Sequence, residues 1–183
     1  VSAITIERAT FLSCATGIQF GGNSDAGESL YLVDCCFFDN QTAVRHTGTT
    51  FGGTFSVRGC RFLYGVHGID GSFDCTQSTA NIVSTLFARL RGDAIRYYGS
   101  LTQIPGTNNL KVHHVTIADC LRGIVVSGCG AQSQGSHIVF SGNATDLTLS
   151  PGPFLTFPVS YSVSDRTSLA GVGNLPQQDV RLI

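Results

Sequence analysis

Six aliphatic residues, Ile18, Val44, Ile69, Ile95, Ile124 and Leu147, close the same local pattern, with successive gaps of 26, 25, 26, 29 and 23 residues. Self-similarity at a period of about 25 residues is the signature of a repeat architecture, and it constrains the fold before any single motif is weighed. Each copy reads as a first aliphatic, a second two residues on, a small residue at position five and usually Phe at seven. The copies are Ile4, Ile6, Ala9, Phe11; Leu30, Leu32, Cys35, Phe37; Phe55, Val57, Cys60, Phe62; Ala80, Ile82, Thr85, Phe87; and Leu110, Val112, Val115, Ile117. A degraded sixth copy keeps Ile138 and Phe140. Three residues beyond stand Cys14, Asn40, Gly65, Leu90, Cys120 and Asn143, a column dominated by small or turn-forming residues.

The first two apolar positions alternate with polar ones, the strand period, and the alternation then slips by one residue before resuming. Two short strands separated by a bend follow from this, and a third carries the closing aliphatic. Three strands per coil of about 25 residues predict a parallel β-helix, in which equivalent columns stack and no single coil can bury its own apolar face. The segments "CATGIQF", "GVHGIDG" and "CLRGIVV" resemble the right-handed, pectate-lyase-like β-helix superfamily over residues 3 to about 150. That resemblance implies an all-β, right-handed, single-stranded parallel β-helix of about six coils. Polysaccharide lyases, hydrolases, epimerases, tailspikes and adhesins all use this scaffold, so activity has to be argued from sites.

Residues 1–150 are read as the β-helix and 151–183 as a C-terminal cap or oligomerisation tail. "SPGPFLTFP" carries three prolines that would each remove a ladder donor, so the coils should stop there. Beyond it "VSYSV" and "DVRLI" are expected to be strands that fold back on the last coil or pair between chains. At the other end the repeat is in register by Ile4, which would leave an open sheet edge. The expectation is that Val1 is not the native start and that a preceding domain, cap or processed segment covered this end.

Between coils lie "GGNSDAGES", "TGTTFGGT", "SFDCTQST", "YGSLTQIPGTNN" and "SGCGAQSQG", all at one point of the period and so expected on one side of the solenoid. Charge is sparse: 13% of the 183 residues are charged, the net charge is −1 and Lys111 is the single lysine. Such a balance gives nucleic-acid or membrane-surface binding little electrostatic support. No run is apolar and long enough to span a bilayer as a helix. Seven cysteines make an odd count without CxxC spacing, and their columns favour small core residues over disulfides, with Cys35 and Cys60 the pair to check. No cofactor motif or zinc spacing occurs, and adjacent His113 and His114 on a strand point to opposite faces. The sequons at Asn40 and Asn143 fall in the turn column, where an asparagine is expected to bond neighbouring backbone instead of carrying a glycan.

Residues following the closing aliphatics, Gln19, Arg45, Asp70, Arg96, Val125 and Thr148, form an outward column with an Arg–Asp–Arg ladder at roughly 4.8 Å per coil. A second polar column holds Thr42, His67, Asp93 and Arg122, and a third holds Asp39, Tyr64 and Asp119. Opposite charges stacked across strands account for such a ladder without a ligand. As a sugar-processing site it would use Asp70 and Asp93 as the carboxylate pair, about 5 to 5.5 Å apart for retention or 6.5 to 9.5 Å for inversion. His67 is then an alternative proton shuttle, and Arg45, Arg96, Arg122, Tyr64 and Tyr97 would bind substrate, with Tyr98 nearby. The arginine motif and clustered acidic calcium ligands associated with pectate lyases are absent.

The functional expectation is a structural or receptor-binding module of a virion or cell-surface appendage, tailspike-like and recognising surface glycans. Its partners would be a polysaccharide, further domains of a longer chain or virion proteins, and two more copies in a homotrimer, with no nucleic acid or membrane. The alternatives are a polysaccharide-degrading hydrolase or lyase, and an adhesin or scaffold without a defined ligand.

Overall fold

The computed structural model describes residues 3–21, 29–48, 53–73, 79–99, 109–127, 133–150, 157–166, 169 and 171–175. Inter-coil segments 22–28, 49–52, 74–78, 100–108 and 128–132, and the predicted strand "DVRLI", lie outside them.

Coil one is β1 (Ala3–Glu7), β2 (Thr10–Leu12) and β3 (Thr16–Phe20), and coil two is β4 (Ser29–Val33), β5 (Cys36–Phe38) and β6 (Thr42–Gly48). Coil three is β7 (Thr54–Arg58), β8 (Arg61–Leu63) and β9 (His67–Phe73), followed by β10 (Thr79–Val83), β11 (Leu86–Ala88) and β12 (Asp93–Gly99). In coils five and six the first two strands run together, as β13 (Asn109–Ala118) and β15 (Gln134–Ser141), with β14 (Arg122–Ser127) and β16 (Thr145–Leu149) closing them. Every pairing is parallel and joins equivalent strands of successive coils, giving one sheet of 12 strands and a second of six in the order β16-β14-β12-β9-β6-β3. The chain is therefore an all-β parallel β-solenoid, and its register reproduces the sequence columns: Leu30 pairs with Phe55, Phe55 with Ala80 and Ala80 with Leu110.

The slip in alternation has a backbone cause. Arg8, Asp34, Gly59, Ser84, His114 and His137 stack as one column with φ between 50° and 66°, in the left-handed region. Ser13, Asp39, Tyr64, Arg89, Asp119 and Gly142 form a second such column, φ 49° to 67°. Each residue turns the chain through a corner while its N–H still donates to the next coil, as from Arg8 to the Val33 carbonyl and from Asp39 to that of Leu63, both 2.9 Å. A non-glycine residue in this conformation costs roughly 1–2 kcal/mol, which the unbroken ladder offsets.

Inside, Phe11, Phe37, Phe62 and Phe87 stack with centroids 4.8, 4.8 and 4.6 Å apart and rings within 9° of parallel. The coil spacing imposes that geometry, and the column continues through Ile117 and Phe140. The closing strands turn two consecutive residues inward without a shift of register: Thr42 pairs with His67 and Val44 with Ile69, while Ala43 and Gly68 between them are buried as well. Gly68 leaves no room for a side chain, because a Cβ there would lie 2.5 Å from the Ala94 carbonyl oxygen and 2.8 Å from the Phe87 ring, while neighbouring coils hold the small Ala43 and Ala94 at this place. The recurring Gly–Ile step thus reflects space beside the phenylalanine stack.

Cys35, Cys60 and Cys120 are buried free thiols, and the first two are not bonded to each other: the Cys35 N–H points at the Cys60 sulfur, 3.4 Å away. Burial pushes the Cys60 and Cys120 thiols up to about 11. Asn40 and Asn143 are buried and satisfy the preceding coil. Their Oδ1 atoms accept from the Cys14 and Cys120 amides at 2.9 Å, and their Nδ2 atoms donate to the Phe11 and Ile117 carbonyls at 3.0 and 2.9 Å.

In the tail, β17 (Val159–Ser160) and β18 (Val163–Ser164) pair with β15 as the start of a further coil. Ser162 and Ser164 now occupy the columns that hold Ile138 and Phe140 one coil earlier. Ser164 donates to Asp146, Ser162 accepts from the Ile138 amide, and Asn174 repeats the role of Asn40 by accepting from Ser162 and donating to the Val159 carbonyl. Polar inward groups end the apolar stack.

Candidate functional site

On either side of the two consecutive inward residues, two columns lie on the outer side of the second sheet. Thr42, His67, Asp93, Arg122 and Thr145 form one, and Arg45, Asp70, Arg96 and Val125 the other. The structure brings these columns together as one ion-pair network. Arg45 Nε stands 3.8 Å from Asp70 Oδ2, and Asp70 Oδ1 stands 3.8 Å from Arg96 Nη1. Arg96 Nε then donates to Asp93 Oδ2 at 2.6 Å, and Arg122 holds the same carboxylate through Nε at 2.5 Å and Nη2 at 3.0 Å. Arg45 also donates to the Thr42 hydroxyl at 3.2 Å.

Asp93 is the centre of this network and differs from its expected role. Its side chain is 0% exposed and both oxygens are engaged by arginines, so no face is left for a substrate proton or an attack on a sugar carbon. Burial, the largest single influence, lowers the basicity of Arg96, but the charge and hydrogen bond of Asp93, with Tyr98 and Asp70, together outweigh it and hold the guanidinium more firmly protonated than usual. Asp70 shares Arg96 with Asp93, so a cation separates the two candidate catalytic carboxylates.

His67 is held neutral. Partial burial, reinforced by the Arg96 charge, lowers its pKa below the ordinary 6.5, against the opposing pull of Asp93 and Asp70. Its Nδ1 accepts from the Asp93 backbone N–H at 3.2 Å, which places the ring proton on Nε2. The 3.8 Å approach of Nδ1 to Asp93 Oδ2 is therefore not an ion pair. With three arginines, two aspartates and a neutral histidine, the network carries one net positive charge.

Tyr97 lies elsewhere than expected, and Val125 keeps its expected column but not its expected exposure. Tyr97 is 1% exposed and points into the core in register with Gly71, because it sits two residues after the closing Ile95 on the inward phase of β12. Val125 lies in the outward column and is nevertheless buried. Tyr98 takes the surface position, its ring 5.9 Å from the Arg96 guanidinium. Tyr64 belongs to the left-handed corner column, where its hydroxyl accepts from Arg89 at 2.6 Å and its ring lies 5.1 Å from that of Phe38. Arg89 also reaches toward Asp119, at 3.9 Å between exposed side chains.

Arg89, Phe38 and Arg91 are surface residues outside the polar columns read from the sequence; Arg89 sits in the corner conformation, which has no residue signature. His113 bonds Ser136 at 2.7 Å while His114 packs against His137, centroids 4.6 Å apart. Burial, then the charges of His114, Lys111 and His137, lowers the His113 pKa. Among the described residues no group of three histidine, cysteine or acidic side chains is arranged to hold a metal ion.

Comparison of the chain with protein-family models, with curated proteins and with solved structures finds no match. The fold thus defines the class, a parallel β-solenoid with a charged ladder on one face.

Proposed function

We propose that this chain is a structural or receptor-binding β-solenoid of a virion or cell-surface appendage, tailspike-like, that recognises surface glycans through the outer face of its second sheet. The observation that carries the reading is the ladder: planar donors and acceptors repeated at the coil spacing and fixed by one another on a rigid sheet. A polymer bearing hydroxyl groups at regular intervals is complementary to such a surface, and solenoids offer extended faces of this kind. Arg45 and Arg122, with side chains 41% and 39% exposed, keep part of their guanidinium donors toward solvent, and Tyr98 adds an exposed ring. The engagement of both Asp93 oxygens favours binding over cleavage.

A broad glycan array probed with the full chain tests this. Binding that falls about fivefold or more in Arg45→Gln or Arg122→Gln supports the ladder as the site, the loss of about one charged hydrogen bond. Binding to none of the array rejects the reading. The mass of the chain in solution tests the trimer, and a monomer at micromolar concentration rejects it.

A further inference from the structure

We infer that a corner groove flanking the ladder is the primary seat for one saccharide unit, and that this unit carries an anionic group, carboxylate or sulfate, which Arg91 holds. The inference rests on the glycan reading and narrows it to a ligand class and a place.

The groove has a volume of 390 Å³ and is lined by Ser13, Asp39, Gln41, Val66 and Arg91, with Cys14 and Ala15 at its end. It adjoins the ladder at the corner leading into the second sheet, because Gln41 and Val66 immediately precede Thr42 and His67, and Arg91 stands two residues before Asp93. Its floor is rigid. The amides of Gln41, Val66 and Arg91 donate to the carbonyls of Cys14, Asn40 and Gly65 in the preceding coils, at 2.9, 3.0 and 3.0 Å. Gly65 lets adjacent coils approach at this corner: a Cβ there would sit 2.3 Å from the Asn40 carbonyl oxygen.

The lining chemistry selects the ligand. Arg91 is exposed and, among the described residues, takes part in none of the ion pairs, unlike Arg45, Arg89, Arg96 and Arg122. A solvent-facing guanidinium with its fork free is suited to a carboxylate or sulfate. Asp39, on the other side, is met by the Ser13 hydroxyl at 3.5 Å and is otherwise open to accept from sugar hydroxyls. Gln41 offers both a donor and an acceptor between them. One fixed cation, one acceptor and a neutral amide match a ring with several hydroxyls and one anionic substituent. A neutral sugar leaves Arg91 unused, and a second anionic group on the same ring meets Asp39.

Calorimetric titration of the full chain with a hyaluronan tetrasaccharide (carboxylate), a chondroitin sulfate tetrasaccharide (carboxylate and sulfate) and neutral chitotetraose tests it. The expected result is that at least one acidic oligosaccharide binds about fivefold or more tightly than chitotetraose, and more weakly as salt rises. The ratio between the two acidic probes identifies which anion is held. Arg91→Gln, at an exposed position, should reduce acidic binding to the neutral level without lowering Tm, and Asp39→Asn should weaken all ligands. Equal binding of acidic and neutral probes overturns the anionic class while leaving glycan recognition standing. Acidic binding insensitive to Arg91→Gln but lost in Arg45→Gln moves the seat to the ladder and overturns the groove. Failure of every glycan in the broad array overturns the parent reading itself.

Discussion

Replacing Asp93 by alanine should destabilise the whole solenoid. The carboxylate accepts three charge-assisted hydrogen bonds, from Arg96 Nε at 2.6 Å and from Arg122 Nε and Nη2 at 2.5 and 3.0 Å, and it is 0% exposed. Removing one partner of a buried pair strands the others and costs about 3–5 kcal/mol. Water can reach the partly exposed Arg96 and Arg122, so the lower end of that range applies, about 3 kcal/mol. With a urea m-value of about 2 kcal/mol/M, the midpoint should fall by about 1.5 M. Asp93→Asn keeps one acceptor oxygen and should lose about 2 kcal/mol. Asp70→Ala is the internal control: both of its arginine contacts are 3.8 Å long, and its loss should be under about 1 kcal/mol. Equal effects at Asp93 and Asp70, or a change below about 1 kcal/mol at Asp93, would refute the claim that Asp93 anchors the ladder.

Three further outcomes follow from other parts of the molecule. His67 has a folded pKa below its unfolded value, so the unfolded chain binds the extra proton first; the stability it contributes is complete above about pH 6.5 and is lost as the pH falls below that. Urea midpoints between pH 7.5 and 5.5 should therefore drop on acidification, with a smaller drop in His67→Gln; an identical slope in both proteins contradicts the assignment. Expression in a glycosylating host should leave Asn40 and Asn143 unmodified, with mass unchanged by enzymatic deglycosylation, since both amides are committed to backbone partners. Iodoacetamide at pH 7.5 should leave Cys60 and Cys120 unlabelled in the native protein, and rapid labelling of either would show that the core opens there.

The coils were legible because each must bury the same columns against its neighbours, so apolar spacing and stacking carry the same information. Register, the phenylalanine stack, the buried cysteines and the bonding role of Asn40 and Asn143 all follow from that periodicity. The corners were hidden, because ten of the twelve residues in the two left-handed columns of coils one to six are not glycine, and Tyr64 or Arg89 gives no hint of positive φ. The ladder's members could be named, but burial within it could not. Column position places Asp93 outward, and only Arg96 on its own strand and Arg122 of the next coil show that its carboxylate is enclosed. Tyr97, two residues after Ile95, falls on the inward phase of its strand, and its polar hydroxyl beside charged neighbours masks that placement in the sequence. The groove at Arg91 is hidden for a different reason: its lining comes from four coils and a corner geometry that no single copy of the repeat displays.

The central claim is that the charged face binds saccharide without cutting it. Its most direct test incubates the purified chain with each polysaccharide it retains and quantifies new reducing ends and unsaturated products over many hours. Retention of the polymer with no new ends is the predicted result. Time-dependent release of fragments, abolished by Asp70→Asn in a variant that still folds and binds, would contradict it and make the ladder an active site.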